Sequence, residues 1–171
     1  MIKNITIGTF EVNSGRIVAS DPCYNIDVWC QDSFPAINGK YFASIKRGDT
    51  QNGWGVRNYE LMVIHEKYED AHNLIWESVD NSFYVDSGTF SFFDYDYYKQ
   101  YHSGSEKNKE AEDAWYNKNI CNRIYDNWNC NMDNSGVWSS SGYGDGSYEV
   151  FVAWEEDEVI GLKVIFIEEE E

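Results

Sequence analysis

Apolar and polar positions alternate along most of the N-terminal half of the chain, and a two-residue period predicts strands. Ile5, Ile7, Phe10 and Val12 lead into Asn13-Ser14-Gly15, and Ile17-Val18-Ala19 follow. Asn and Gly suit a tight turn, so these runs read as a hairpin. A second hairpin is predicted at 40–46 and 54–64, around the polar loop Gly48-Asp49-Thr50-Gln51-Asn52-Gly53. Shorter strands fit 74–79, 83–86 and 89–93, with Ser87-Gly88 as a turn. Over 105–128 the period changes. Ala111, Ala114, Trp115, Cys121, Ile124, Tyr125 and Trp128 share one helical face, with Ser105 as N-cap and Glu106 complementing the helix dipole. Alternation returns at Tyr148, Val150, Val152 and Trp154, and 159–167 is apolar enough for a strand buried on both faces. The predicted fold is mainly β, of the α+β class: an antiparallel β-sandwich or open barrel with one inserted amphipathic helix.

Length changes this picture little: 171 residues suit a single domain, 1–171, with 100–131 as a helical insertion within it. A hydrophobic fraction of 42% and an aromatic fraction of 17% exclude disorder. Such aromatic density favours sheet packing, and some rings are candidates for stacking on a flat ligand. Met1-Ile2-Lys3-Asn4-Ile5-Thr6 lacks the apolar segment of a signal peptide, and no apolar run approaches the roughly 20 residues that span a bilayer. The expected location is the cytoplasm, or the host cytoplasm if the chain is phage-encoded, with no membrane partner. In that compartment Cys23, Cys30, Cys121 and Cys130, whose spacings match no common zinc pattern, read as reduced thiols in a core. No metal or cofactor is expected. The acidic end at 168–171 reads as solvated.

The formal net charge of −17 is unevenly placed. Residues 1–60 hold six acids and six bases, whereas 61–171 hold twenty-four acids and seven bases. A phosphate-bearing ligand would therefore be held where the bases are, and the acidic remainder would repel nucleic acid and attract a basic partner. No direct nucleic-acid binding is expected.

The bases point to the second hairpin. Lys46, Arg47 and Arg57 accompany Trp54, with Tyr41 and Phe42 nearby, a composition able to stack a base and grip a phosphate. The other half of the expected ligand site is the loop Ser141, Gly142, Tyr143, Gly144, Asp145 and Gly146. Its glycines permit close backbone approach, and consecutive N–H groups there can cradle an anion. The segments around Asp21-Pro22-Cys23-Tyr24 and Val85-Asp86-Ser87-Gly88-Thr89 also stand out. Asp21, Asp86, Asp94 and Asp145 offer oxygen ligands for a cation, without the spacing of a calcium loop. His65 reads as structural, and His72 and His102 fall in polar, exposed-looking segments. No serine–histidine or cysteine–histidine arrangement emerges, so no catalytic residue is assigned.

The segments SGRIVASDPCY, VDSGTF with its later FD, and SSSGYGDGSYEVFVA with GLKVIFI resemble a family of small uncharacterised proteins from bacteria and their phages, marked by a late S-G-x-G-D-G-x-Y motif. The resemblance implies a compact β-rich domain of a kind that phages also encode, and transfers no functional residue, since the family carries no established activity. The expected function is a small-molecule binding protein without catalysis, a phage counter-defence protein that sequesters a nucleotide-like immune signal. One alternative is an acidic mimic of nucleic acid that inhibits a basic host defence enzyme. The other is a metal-dependent nucleotide hydrolase using Asp21, Asp86, Asp145 and His65. A homo-oligomer is compatible with any of these.

Overall fold

Strands that are apolar on one face must bury that face against a second layer, and here two antiparallel sheets do so. The computed structural model describes residues 1–170. Its strands run β1 (Lys3–Val12), β2 (Arg16–Ser20), β3 (Asp32–Pro35), β4 (Gly39–Asp49), β5 (Val56–His65), β6 (Glu77–Ser78), β7 (Phe83–Val85), β8 (Thr89–Asp94), β9 (Cys130–Asp133), β10 (Gly136–Ser140), β11 (Gly146–Glu155) and β12 (Glu158–Ile165). The larger sheet has the order β1-β4-β5-β12-β11-β6, with β7 also on β11, and the smaller has the order β3-β2-β8-β10-β9. Tyr41, Ala43, Ile45, Leu61, Val63, Val152 and Val164 of the first sheet meet Ile17, Ala19, Phe90, Phe92 and Val137 of the second in one continuous core. No helix among the described residues is long and apolar enough to cross a membrane.

Asn13-Ser14-Gly15 is not a hairpin turn. β1 pairs with β4, whereas β2 pairs with β3 and β8, so this corner carries the chain from one sheet to the other. The Asp94 carboxylate replaces the missing hairpin bonds by accepting from the N–H groups of Asn13 and Ser14, both at 2.9 Å. Its second oxygen accepts from the Tyr97 N–H at 3.2 Å and caps α1 (Tyr95–Tyr101). That helix was absent from the sequence expectation because its aromatic residues favour strand.

The predicted long helix is shorter than its apolar period. α2 spans Lys109–Asn119, flanked by 3-10 turns at Glu106–Asn108 and Cys121–Arg123, and Ser105 makes no side-chain cap bond. Both helices lie on the outer face of the smaller sheet, where Val18, Phe93 and Trp138 pack with Tyr98, Trp115 and Ile120. Every residue of β8 is consequently buried. The Phe93 ring occupies the space above Gly136, where a Cβ would lie 2.0 Å from it.

His102, expected to be exposed, is buried within this layer. Its ring stacks on Tyr98 at 3.7 Å between centroids, and Trp115 meets it edge-on at 4.9 Å. Nδ1 lies 2.8 Å from the Tyr98 carbonyl oxygen and Nε2 lies 2.9 Å from that of Pro22. Burial pushes the ring's pKa below its ordinary 6.5, against the opposing pull of the two carbonyls. As pH falls through about 6.5 the unfolded chain takes up a proton that the folded ring resists, so stability declines towards acid until the folded ring also titrates. Urea midpoints should therefore drop between about pH 7.5 and pH 5.5, and the His102→Gln variant should show a flatter dependence over that interval.

Candidate functional site

The β4–β5 hairpin and the glycine loop meet at one end of the sandwich. Within the hairpin a register shift places Lys46 opposite Glu60 and Arg47 opposite Asn58. The tip closes on itself: the Thr50 N–H donates to the Gly55 carbonyl at 3.0 Å, and the Thr50 hydroxyl donates to Asn52 Oδ1 at 2.7 Å. Asn52 Nδ2 then donates to the Tyr143 hydroxyl at 2.8 Å, and Trp54 stands edge-on to the Tyr143 ring at 5.6 Å. These two rings are 58% and 45% exposed, so their contact is a surface feature rather than core.

The Ser/Gly loop spends much of its polar capacity on itself. Ser141 Oγ donates to the Gly144 carbonyl and the Gly144 N–H donates to the Ser141 carbonyl, both at 2.8 Å. The Tyr148 hydroxyl lies 2.9 Å from the Ser141 carbonyl oxygen, and the Ser141 N–H donates to that of Gly88 at 3.0 Å. Gly142, at φ +56°, sits where a Cβ would lie 2.9 Å from Ile167, so glycine is needed there for packing as well as for backbone conformation. The loop is a braced turn that projects Tyr143; Asp145 is exposed beside it.

A cavity of about 580 Å³ opens beside the Tyr143 hydroxyl, between the hairpin tip, the Met1–Ile2 segment and residues 167–170. Asp49, Glu168, Glu169 and Glu170 line it, with no Lys, Arg or His among the lining residues. The described part of the acidic end, Glu168–Glu170, is exposed as expected and also walls this cavity; Glu171 lies outside the described residues. Lys46 stands next to this wall and is engaged there, 2.8 Å from Glu169 and 3.7 Å from Glu60. The bond to Glu169 raises its pKa, and Glu60 adds to the effect. Arg47 donates to Asn58 Oδ1 at 2.7 Å and to the Trp128 carbonyl at 3.1 Å, and burial lowers its pKa. Arg57 keeps a buried Nε without a hydrogen-bond partner. Of the three bases expected to grip phosphate, two are therefore committed to protein acceptors.

Trp128 belongs to the same end and was assigned to a helix face by its spacing. Asn127, Trp128 and Asn129 instead take φ of +41°, +61° and +60° in succession. Asn tolerates this region, but a bulky ring does so at a cost of about 1–3 kcal/mol. The loop is held by Arg47 and by Asn58 Nδ2, which donates to the Trp128 carbonyl at 3.0 Å. The result is a Trp128 side chain that is 53% exposed, with Tyr125 exposed on the same loop. The paired asparagines around a tryptophan were the only sequence signal of this conformation.

Of the four aspartates weighed as cation ligands, Asp21 and Asp94 serve the fold, while Asp86 and Asp145 are exposed. Asp21 is fully buried; its carboxylate accepts from the N–H groups of Cys23, Asp86 and Ser87 and from the Ser87 hydroxyl, at 2.7–2.8 Å. With the Ser141–Gly88 bond, it gathers the three conspicuous sequence segments at one place. Asp94 holds the inter-sheet corner and the α1 cap. Among the described residues no three His, Cys, Asp or Glu side chains are grouped to hold a metal ion. All four cysteines are free, and Cys23 and Cys121 are exposed rather than in the core. Although Cys23 is exposed as a residue, partial desolvation of its thiol and then the nearby Asp21 carboxylate push its pKa upward. His65 closes β5, is buried, and caps the following turn by accepting from the Lys67 N–H at 3.2 Å.

The chain matches no protein-family model, no curated protein and no solved structure. Replacing Asp21 by Asn preserves volume but turns an N–H₂ towards groups that are themselves donors. Asp21→Asn should cost about 3 kcal/mol in urea unfolding, well above the effect of Asp86→Asn at an exposed carboxylate.

Proposed function

We propose that the chain is a binding protein without catalysis, and that its ligand is a positively charged segment of a partner protein. The observation that carries this reading is the exposed Trp54–Tyr143 contact beside a cavity walled by Asp49, Glu168, Glu169 and Glu170. Aromatic faces attract guanidinium and ammonium groups, and a carboxylate wall supplies the opposing charge. Exposed Trp and Tyr are also the side chains that most often anchor protein interfaces. Trp128 and Val56 extend the apolar surface at this end.

The net charge of −17 adds long-range attraction for a basic partner. The motif likeness to small bacterial and phage proteins favours a host protein with a basic groove, such as a nucleic-acid-handling defence enzyme, as that partner. Sequestration of a nucleotide is the second reading. Its support is Arg57, whose buried Nε has no hydrogen-bond partner.

An arginine-rich peptide titrated against Trp fluorescence separates the two readings. Binding should weaken steeply with salt, and Trp54→Ala combined with Tyr143→Ala should reduce affinity by about tenfold or more. Unchanged affinity in the double variant, or calorimetric uptake of cyclic nucleotides with none of the peptide, would overturn the first reading.

A further inference from the structure

A second cavity, of about 270 Å³, lies under the C-terminal end of α2 against β9 and β10. Phe93, Met132 and Trp138 form its apolar part, and Lys118, Asn119, Arg123, Asn131 and Asp133 its polar part. Most of the polar groups there are already satisfied. Asp133 accepts from the Tyr97 hydroxyl at 2.5 Å through one oxygen and from the Ser135 N–H at 2.8 Å through the other. Asn119 donates to the Trp115 carbonyl, and its own carbonyl accepts from Trp138 Nε1.

Among the buried side-chain atoms there, the one left over is a donor. Asn131 Nδ2 is buried without a partner, one of two such side-chain atoms among the described residues. Its orientation is fixed, because Asn131 Oδ1 accepts from the Met132 N–H at 2.7 Å and a flipped amide would set donor against donor. No carboxylate among the described residues pairs with Lys118, and Arg123 has only Asp126, at 3.9 Å. A buried amide N–H is costly to leave without an acceptor.

We propose that this cavity binds a small molecule bearing an oxyanion on a flat apolar group. The oxyanion would accept from Asn131 Nδ2 and lie between Lys118 and Arg123, while the apolar group packs on Phe93, Met132 and Trp138. Charge-assisted bonds from an ammonium and a guanidinium suit a phosphate or carboxylate equally, and the walls select for the organic part. This site is separate from the hairpin end, and it places an anion where the acidic chain keeps a local pair of cations.

The test is an NMR titration of ¹⁵N-labelled full chain with phenyl phosphate, benzoate and inorganic phosphate. Phenyl phosphate or benzoate should saturably shift the Asn131 side-chain amide and the Trp138 indole signals, and the tighter of the two identifies the oxyanion. Lys118→Gln with Arg123→Gln, both at exposed positions, should weaken binding by about tenfold or more, and Asn131→Asp should abolish it. The absence of a saturable shift with either organic probe, unchanged affinity in the double variant, or equal affinity for inorganic phosphate would overturn the proposal.

Discussion

Asn58 joins the two sheets where the candidate binding end is built. It has no solvent contact, yet its amide nitrogen lies 2.9 Å from Ser139 Oγ on the opposite sheet and 3.0 Å from the Trp128 carbonyl. Its oxygen accepts from Arg47 at 2.7 Å. A buried amide this well satisfied is rigid, because breaking any one bond strands a polar group in the interior. It therefore fixes the hairpin, the strand leading into the glycine loop, and the strained loop that shows Trp128. The aromatic surface at this end is positioned by a polar node, not by the rings themselves.

That node explains why some features were legible in the sequence and others were not. Alternation and turn residues located the β4–β5 hairpin, and the glycine spacing marked the loop that carries Tyr143; both depend on local backbone rules. The meeting of Trp54 with Tyr143 could be expected from composition, but only three-dimensional packing brings them to 5.6 Å. Asn13-Ser14-Gly15 failed as a hairpin signal because the same residues also serve a corner when a distant carboxylate, Asp94, receives their N–H groups. The apolar helical period continued past Asn119 while the backbone did not. Spacing cannot distinguish a buried Trp115 from an exposed Trp128 when the chain turns between them.

Charge was the least transferable reading. Counting left residues 1–60 neutral beside a strongly acidic remainder, which made the hairpin appear cationic. Lys46 meets Glu169, 123 positions away, and Arg47 meets a backbone carbonyl 81 positions away. Both contacts are non-local, so composition sees the donors without their acceptors. The region reads as basic along the chain and as acidic in space.

The same reasoning bears on what each end of the molecule can recognise. Electrostatic attraction at long range follows net charge, which here favours cations, whereas binding at contact follows the groups that lack a partner. At the hairpin end the unspent groups are mainly carboxylates and aromatic faces, with Arg57 Nε as the exception, so most short-range terms agree in sign with the long-range one. Under α2 they disagree: an oxyanion approaches against the overall field and is held by a buried amide and two nearby cations. Screening by salt weakens the first kind of site, whereas at the second it reduces both the overall repulsion and the pull of the exposed Lys118 and Arg123, so the two effects there offset each other. A single acidic chain can in this way present one surface for a basic protein and, on another face, a small pocket of the opposite preference.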